Sequence, residues 1–315
     1  MRDEPPPIRG GSVGEAELPA VGVAWPKSAE RSESSFAQGV RRLRRSTTAV
    51  VGAVIVLLLL VTAIFADVLA PMSPTVSDPT QTFATPNREH PFGTDQLGRD
   101  MLSRIIHGTR ISLLVGVSSV LLALAVGVPF GMIAGYYGGR VDRSIMRVMD
   151  LILAFPIYLL AIILMVIFTP TAGLIGTMKV TGAIAIVRIP IYARLVRGSV
   201  LSIKEKEFIE ACRALGVRDP SILFRHVLPN CLAPIIVTTT LGIATSIIVE
   251  ATLSFLGLGT QPPTPSWGWD LKANVAFIQA NPWLALFPGL AIFVTVLGFN
   301  LFGDGLRDAL DPRLK

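Results

Sequence analysis

Of 315 residues, 51% are hydrophobic and only 16% are charged, against about 25% charged in an average soluble domain, and the mean hydropathy is +0.60. A chain so rich in apolar surface is read as an integral membrane protein. Its formal charge of +6 does not indicate nucleic acid, because the basic residues lie in short loops beside apolar runs rather than on one aromatic-studded face, and Cys212 and Cys231 fit no zinc or disulfide pattern.

In chain order, residues 1–45 mix proline, glycine, serine and charge without an apolar period, and are expected to form a flexible tail with no secretory signal. Arg41, Arg42, Arg44 and Arg45 then precede an apolar run at about 49–70, long enough to cross a ~30 Å hydrocarbon layer. Residues 46–72 are therefore assigned to a first transmembrane helix. A polar outer loop is expected over 73–110, where Gly93 and Gly98 suit turns and Asp95 or Asp100 can cap short helical pieces. His90, Asp95, Asp100 and His107 match no metal-ligand spacing, so no metal site is assigned.

Further apolar runs at about 111–137, 145–168, 173–196, 232–257 and 284–303 complete six expected spans within a membrane core of residues 111–315. The alternating loops are charged unequally. One set holds Arg41, Arg42, Arg44, Arg45, Arg140, Arg143, Arg147, Arg194, Arg197, Lys204, Lys206, Arg213, Arg218, Arg225, Arg307, Arg313 and Lys315; the other holds only Arg88, Arg99, Arg104, Arg110, Lys179 and Lys272. Positive charge stays inside, so both termini are expected in the cytosol. Small residues and kinks recur in the spans, as at Gly116, Gly127, Gly131, Pro129 and Pro156. Arg188 and Glu250 are intramembrane polar candidates: Arg188 lines a pathway or snorkels inward, and Glu250 serves packing or a pathway. Trp267 and Trp269 in the proline-rich loop at 259–270 are either an interfacial anchor or a contact for an outer partner.

The stretch at 202–229, SIKEKEFIEACRALGVRDPSILFRHVLP, has a different character. Ser202 and Glu205 have the spacing of a capping box, and Phe208, Ala211, Cys212 and Leu215 form one apolar stripe. Gly216 can end that helix in the left-handed conformation, and Asp219 with Pro220 can begin a shorter helix that Pro229 ends. By the charge count this amphipathic hairpin lies in the cytosol. It rests on its own protein or offers a docking surface.

No phosphate-cradling glycine-rich loop occurs, nor any catalytic constellation, so the chain is read as a non-catalytic membrane subunit. Three classes remain. A gradient-driven carrier would use midspan charges in inverted repeats, and none is evident; a scaffold would carry nothing; a permease would borrow energy from a partner docked on the hairpin.

The hairpin residues Glu210, Ala211, Cys212 and Gly216, followed by Leu228 and Pro229, resemble the EAA motif of permease subunits of ABC importers. Residues 90–100 (HPFGTDQLGRD), 193–197 (ARLVR), 225–230 (RHVLPN), 250–259 (EATLSFLGLG) and 262–268 (PPTPSWG) are similar to the DppC/OppC-type subunit of the dipeptide/oligopeptide/nickel branch. The likeness runs from about residue 45 onward. Two departures stand out: Cys212 replaces the second alanine of the motif, and Ile189 stands where the branch often has tryptophan, beside Arg188.

The resemblance implies an all-α, polytopic type I importer fold with six transmembrane helices and a cytosolic coupling helix, located in the cell membrane. It implies half of a translocation pathway for di- or oligopeptides, with nickel chelates, glutathione or another small solute as alternatives. The implied partners are a DppB/OppB-like second permease, two ATPase subunits that hold ATP and magnesium, and an extracytoplasmic solute-binding protein. Residues Phe208, Glu210, Ala211, Cys212, Leu215, Gly216, Leu228 and Pro229 would couple to an ATPase, and Asp95, Arg99, Asp100, Trp267 and Trp269 are the candidate outer-face contacts.

Overall fold

The computed structural model describes residues 46–310, and the expected N-terminal tail, with Arg41 to Arg45, lies outside them, as do Arg313 and Lys315. The described residues contain helices, turns and two isolated bridges, without a strand. Five helices are long and apolar enough to cross a membrane, and a bent pair supplies a sixth passage if counted as one.

Helix α1 (Thr47–Ile64) begins where Ser46 Oγ accepts from Ala49 N at 3.4 Å. It is apolar all round, and Leu57, Leu58 and Ile64 are exposed on its surface, as suits a lipid-facing span. Its buried side closes on the last helix of the chain. A Cβ at Gly52 would stand 2.3 Å from Phe302 N, and one at Gly305 would meet Ala49.

Helix α2 (Met101–Tyr137) starts ten residues before the expected span. Asp100 caps it, accepting from Ser103 N at 2.8 Å and Ser103 Oγ at 2.6 Å, so the supposed outer loop ends in the first turns of a 37-residue helix. Gly138, at φ 65°, ends it.

The expected continuous span at 145–168 is two helices. α3 (Gly139–Leu153) and α4 (Ile157–Phe168) meet at 88°. Pro156 disfavours a helical Phe155, and α3 exposes Arg140, Arg143 and Arg147 while burying only Met149, a pattern that cannot run unbroken into hydrocarbon. Asp142 accepts from Arg197 Nη2 at 2.6 Å and fastens α3 to helix α5 (Gly173–Ile203).

The α2–α5 pair is the most extensive helix contact in the fold. Gly127, Gly131 and Gly135 recur every fourth residue along one face of α2. A Cβ at these positions would lie 2.7 Å from Ile189 O, 2.5 Å from Ala193 O and 2.9 Å from Arg197 O. The missing side chains bring the two backbones into contact, which is how helices adhere where lipid removes the hydrophobic drive.

After α5, short helices α6 (Glu207–Ala214) and α7 (Asp219–Ile222) precede α8 (Leu228–Phe255). Beyond α8, α9 (Trp267–Asn274) caps one end of the bundle, and α10 (Trp283–Leu310) returns beside α1. At the capped end Arg104 of α2 donates from Nε to Asp270 Oδ1 of α9 at 2.8 Å, with both side chains almost wholly enclosed. Nearby, Arg110 and then His107 hold the Asp67 carboxyl below the usual carboxylate range through their hydrogen bonds to it.

Two outcomes test this architecture. Gly131→Ala should lower the detergent-solubilised protein's unfolding free energy by about 1–3 kcal/mol through overpacking, whereas Gly198→Ala, which meets nothing within 4 Å, should leave the melting temperature unchanged or raise it. Arg104→Gln should destabilise by roughly 3–5 kcal/mol, because it strands a buried carboxylate, and Arg104→Met with Asp270→Leu should recover most of that loss; melting curves of the four variants measure both outcomes.

Candidate functional site

The segment at 202–229 takes a different form from the one its sequence suggested. Ser202 and Glu205 make no capping box: α5 runs through Ser202 to Ile203, because Val200 and Ile203 continue its buried face, and α6 starts at Glu207 with Lys206 as its uncapped N-cap. Glu207 and Glu210 in the first turn, and Arg213 in the last, suit the helix dipole. The C-terminal end is as expected. Gly216, at φ 72°, lets its N–H reach Arg213 O at 2.9 Å while Val217 N reaches Cys212 O at 3.0 Å, the paired bonds that close a helix on a left-handed residue.

The buried face is also shifted by one position. Ile209, not Phe208 or Leu215, is the enclosed residue of α6, and Cys212 and Val217 pack beside it. Together with Ile222, Leu223 and Val227 they join Met132, Val196, Val200, Cys231 and Ile235 in one apolar cluster at the ends of α2, α5 and α8. Tyr136 at the end of α2 donates to Asp219 Oδ1 at 2.8 Å, and the Arg213 guanidinium lies 5.1 Å from the Tyr136 ring centre. The loop is thereby held to the membrane body from beneath. Its outer side carries Phe208, Glu210, Ala211, Gly216, Leu215 at 82% exposure and Phe224 at 60%.

Pro229 does not end a helix. Residues Leu223–Val227 form a widened turn in which Leu228 N bonds Leu223 O, and α8 continues through the proline. A wide turn tolerates the missing N–H that would break a regular one. Leu228 is half-buried on the apolar cluster, and Pro229 is exposed.

At the opposite end, four of the five proposed outer contacts are internal. Asp95 accepts from Leu97 N at 2.8 Å, Arg99 N at 3.0 Å and Arg99 Nε at 2.7 Å; Asp100 caps α2 and bonds His90 Nδ1 at 2.9 Å, whose Nε2 meets Gln81 Oε1 at 2.7 Å. With their side chains buried, Asp95, Arg99 and Asp100 shape the cap at this end of the bundle and offer no surface to a partner. Trp267 is enclosed as well, donating from Nε1 to Ile105 O at 3.0 Å against Gly108. Trp269 is half-buried under Lys272 Nζ, 4.7 Å from its ring centre, and Pro262 and Pro263 are the exposed part of that loop.

Of the two intramembrane candidates, Glu250 is wholly enclosed. Its carboxylate accepts from Ser254 Oγ at 2.7 Å, Ser266 Oγ at 3.0 Å and Ser112 Oγ at 3.4 Å. It joins α8, α2 and the proline-rich loop and faces no pathway. Arg188, midway along α5, donates from Nη2 to Thr245 Oγ1 of α8 and makes no ion pair among the described residues.

The sequence reading missed Arg104–Asp270, Tyr136–Asp219 and the Glu250 serines.

Comparison with known proteins agrees with this geometry. Residues 127–315 match the family of binding-protein-dependent transport system inner membrane components, and residues 34–88 match the N-terminal transmembrane domain of oligopeptide transport permease C. The dipeptide transport system permease protein DppC of Alkalihalophilus pseudofirmus is 46% identical over 92% of this chain and 94% of its own length. The glutathione transport system permease protein GsiD of Pectobacterium atrosepticum is 47% identical over 87% of this chain and 90% of its own. Among solved structures, a chain of the inward-facing MetNI methionine ABC transporter superposes with a TM-score of 0.55 at 19% identity, covering 67% of this chain and 98% of that chain. From the spans, the hairpin and these matches together, the chain belongs to the family of multi-pass inner-membrane permease subunits of binding-protein-dependent ABC importers.

Proposed function

We propose that this chain forms one half of the pathway of a di- or oligopeptide importer, paired with a DppB/OppB-like permease, and that ATPase subunits drive it through residues 204–229. The observation that carries the proposal is the two-sided loop. Ile209, Ile222, Leu223 and Val227 bind it to α2, α5 and α8, while Phe208, Ala211, Leu215, Gly216 and Phe224 face outward. Exposed apolar residues on a charged, membrane-proximal loop need a partner groove, and a short helix fits one. ATP and magnesium belong to the partner, since this sequence has no phosphate-binding loop.

Movement follows from the anchoring. A loop clamped to three spanning helices transmits rotation of its partner as rigid-body tilt of those helices, opening the pathway alternately to each side. The start of α1, the end of α10 and the loop lie at one end of the bundle, and the basic bias supports placing that end in the cytosol. A solute-binding protein would then dock on the opposite end, at the exposed loop around Pro262 and Pro263. The peptide reading takes its support from the DppC relative; glutathione, as named for the GsiD relative, is the alternative within the same mechanism.

Gly216→Asp tests the coupling role. A Cβ there meets no atom of this chain within 4 Å, and aspartate is one of the few side chains that visit the left-handed backbone Gly216 adopts, so membrane levels should stay near wild type, while a carboxylate driven into an apolar groove at about 3–5 kcal/mol should cut ATP-driven dipeptide uptake by ~100-fold or more. Gly216→Asn, which tolerates the same backbone, should retain substantial uptake. Wild-type uptake by the Asp variant would remove the loop from coupling.

A further inference from the structure

Arg188 is placed unlike any other basic residue of the fold. It lies midway along a spanning helix at 8% exposure, with Nε buried and without a hydrogen-bond partner, and with no acidic residue among the described ones to balance it. An uncompensated guanidinium at that depth is costly, so its position calls for an anion. It does not snorkel: its side chain crosses from α5 to α8, where Nη2 donates to Thr245 Oγ1.

The crossing is built into the neighbours. Gly242 of α8 leaves open the space it passes through, since a Cβ there would stand 2.4 Å from the Tyr192 hydroxyl and 3.7 Å from Arg188 Nη1. Thr245 is exposed although it lies within a span. It falls seven residues from both Thr238 and Thr252, which are half-buried, so three hydroxyls line one face of α8. Thr245 donates its own hydroxyl proton to Leu241 O at 3.0 Å, leaving its oxygen to orient the guanidinium. A column of hydroxyls with one fixed cation at mid-depth is a poor surface for lipid and a good one for a polar solute.

We infer that Arg188, oriented by Thr245, is a carboxylate-binding subsite of the translocation pathway. It takes the C-terminal carboxylate of a passing peptide, and this rests on the importer reading above. The terminal edge of the guanidinium, Nη1 with the Nη2 hydrogen that Thr245 does not take, matches a carboxylate in two-point geometry. A single tie to Thr245 leaves the group able to release what it binds, as a pathway requires.

Two experiments on the assembled importer in liposomes test this. In a Cys212→Ser, Cys231→Ser background, Thr245→Cys should favour anionic sulfonatoethyl methanethiosulfonate over the cationic trimethylammonioethyl reagent by roughly ten-fold, each rate taken relative to that reagent's rate with free 2-mercaptoethanol, a preference that Arg188→Gln abolishes. Equal relative rates would mean that an acid of the second permease already neutralises the guanidinium, and no reaction would mean that the face is closed to water; either overturns the subsite. In the uptake arm, at concentrations saturating the binding protein, Arg188→Gln should reduce entry of Ala-Ala by roughly ten-fold and leave entry of its C-terminal amide within about two-fold. Equal loss of both would assign Arg188 a purely structural role and overturn the inference. Failure of the wild type to import either peptide would count against the peptide reading alone, and the thiol reaction, which needs no solute, would still decide the subsite.

Discussion

The backbone contact between α2 and α5 sets the rest of the molecule. Gly127, Gly131 and Gly135 leave a smooth track along α2, and Ile189, Ala193 and Arg197 of α5 sit against it through their carbonyl oxygens. Once that contact is made, α5 can neither slide nor rotate freely. Its phase directs Arg188 toward α8 rather than α2. At the cytosol-assigned end, the same two helices supply Met132, Val196 and Val200, on which the 204–229 loop is seated. The track thus fixes both the cation at mid-depth and the platform beneath the loop.

The buried carboxylates at the end of the bundle capped by α9 each have a partner, although Asp270 Oδ2 is left without one. The cap around α9 joins its carboxylates to arginine, histidine, serine and backbone N–H groups: Asp95 with Arg99, Asp100 with His90 and Ser103, Asp270 with Arg104, and Glu250 with three serines. Low dielectric makes each such bond strong and each missing partner costly. The cap is therefore a firm lid over the ends of α2 and α8. The exposed charges of α3 sit at the opposite end, where the 88° bend lets an amphipathic helix leave the apolar zone before α4 enters it.

Much of the fold was legible because hydrocarbon thickness dictates the length of an apolar run, and the spans appeared where those runs occur. The failures were local. The third span broke because charge on α3 and Pro156 acted together, and α2 extended outward because Asp100 caps a helix rather than a turn. In the loop, spacing announced an amphipathic helix but mistook its phase: positions 208, 211, 212 and 215 and positions 209 and 212 both fit a helical period, and only contact with Val200 and Ile222 selects the second. Asp95, Arg99, Asp100 and Trp267 looked like surface because sequence shows polarity and aromaticity without showing partners. Arg104 and Asp270 stand 166 positions apart, and nothing local to either reveals the other.

The two-sided loop also separates two kinds of inheritance. Ile209, Cys212, Ile222, Leu223 and Val227 must remain matched to the helices of their own chain, because they share one packed cluster with them. Phe208, Ala211, Leu215 and Phe224 lie outside that cluster and are exposed, so under the proposed coupling role they are free to drift in step with another gene product. Under the coupling role and the subsite proposed above, a permease built this way can change its motor without rebuilding its membrane body, and can change its cargo by altering α5 and α8 without disturbing the motor.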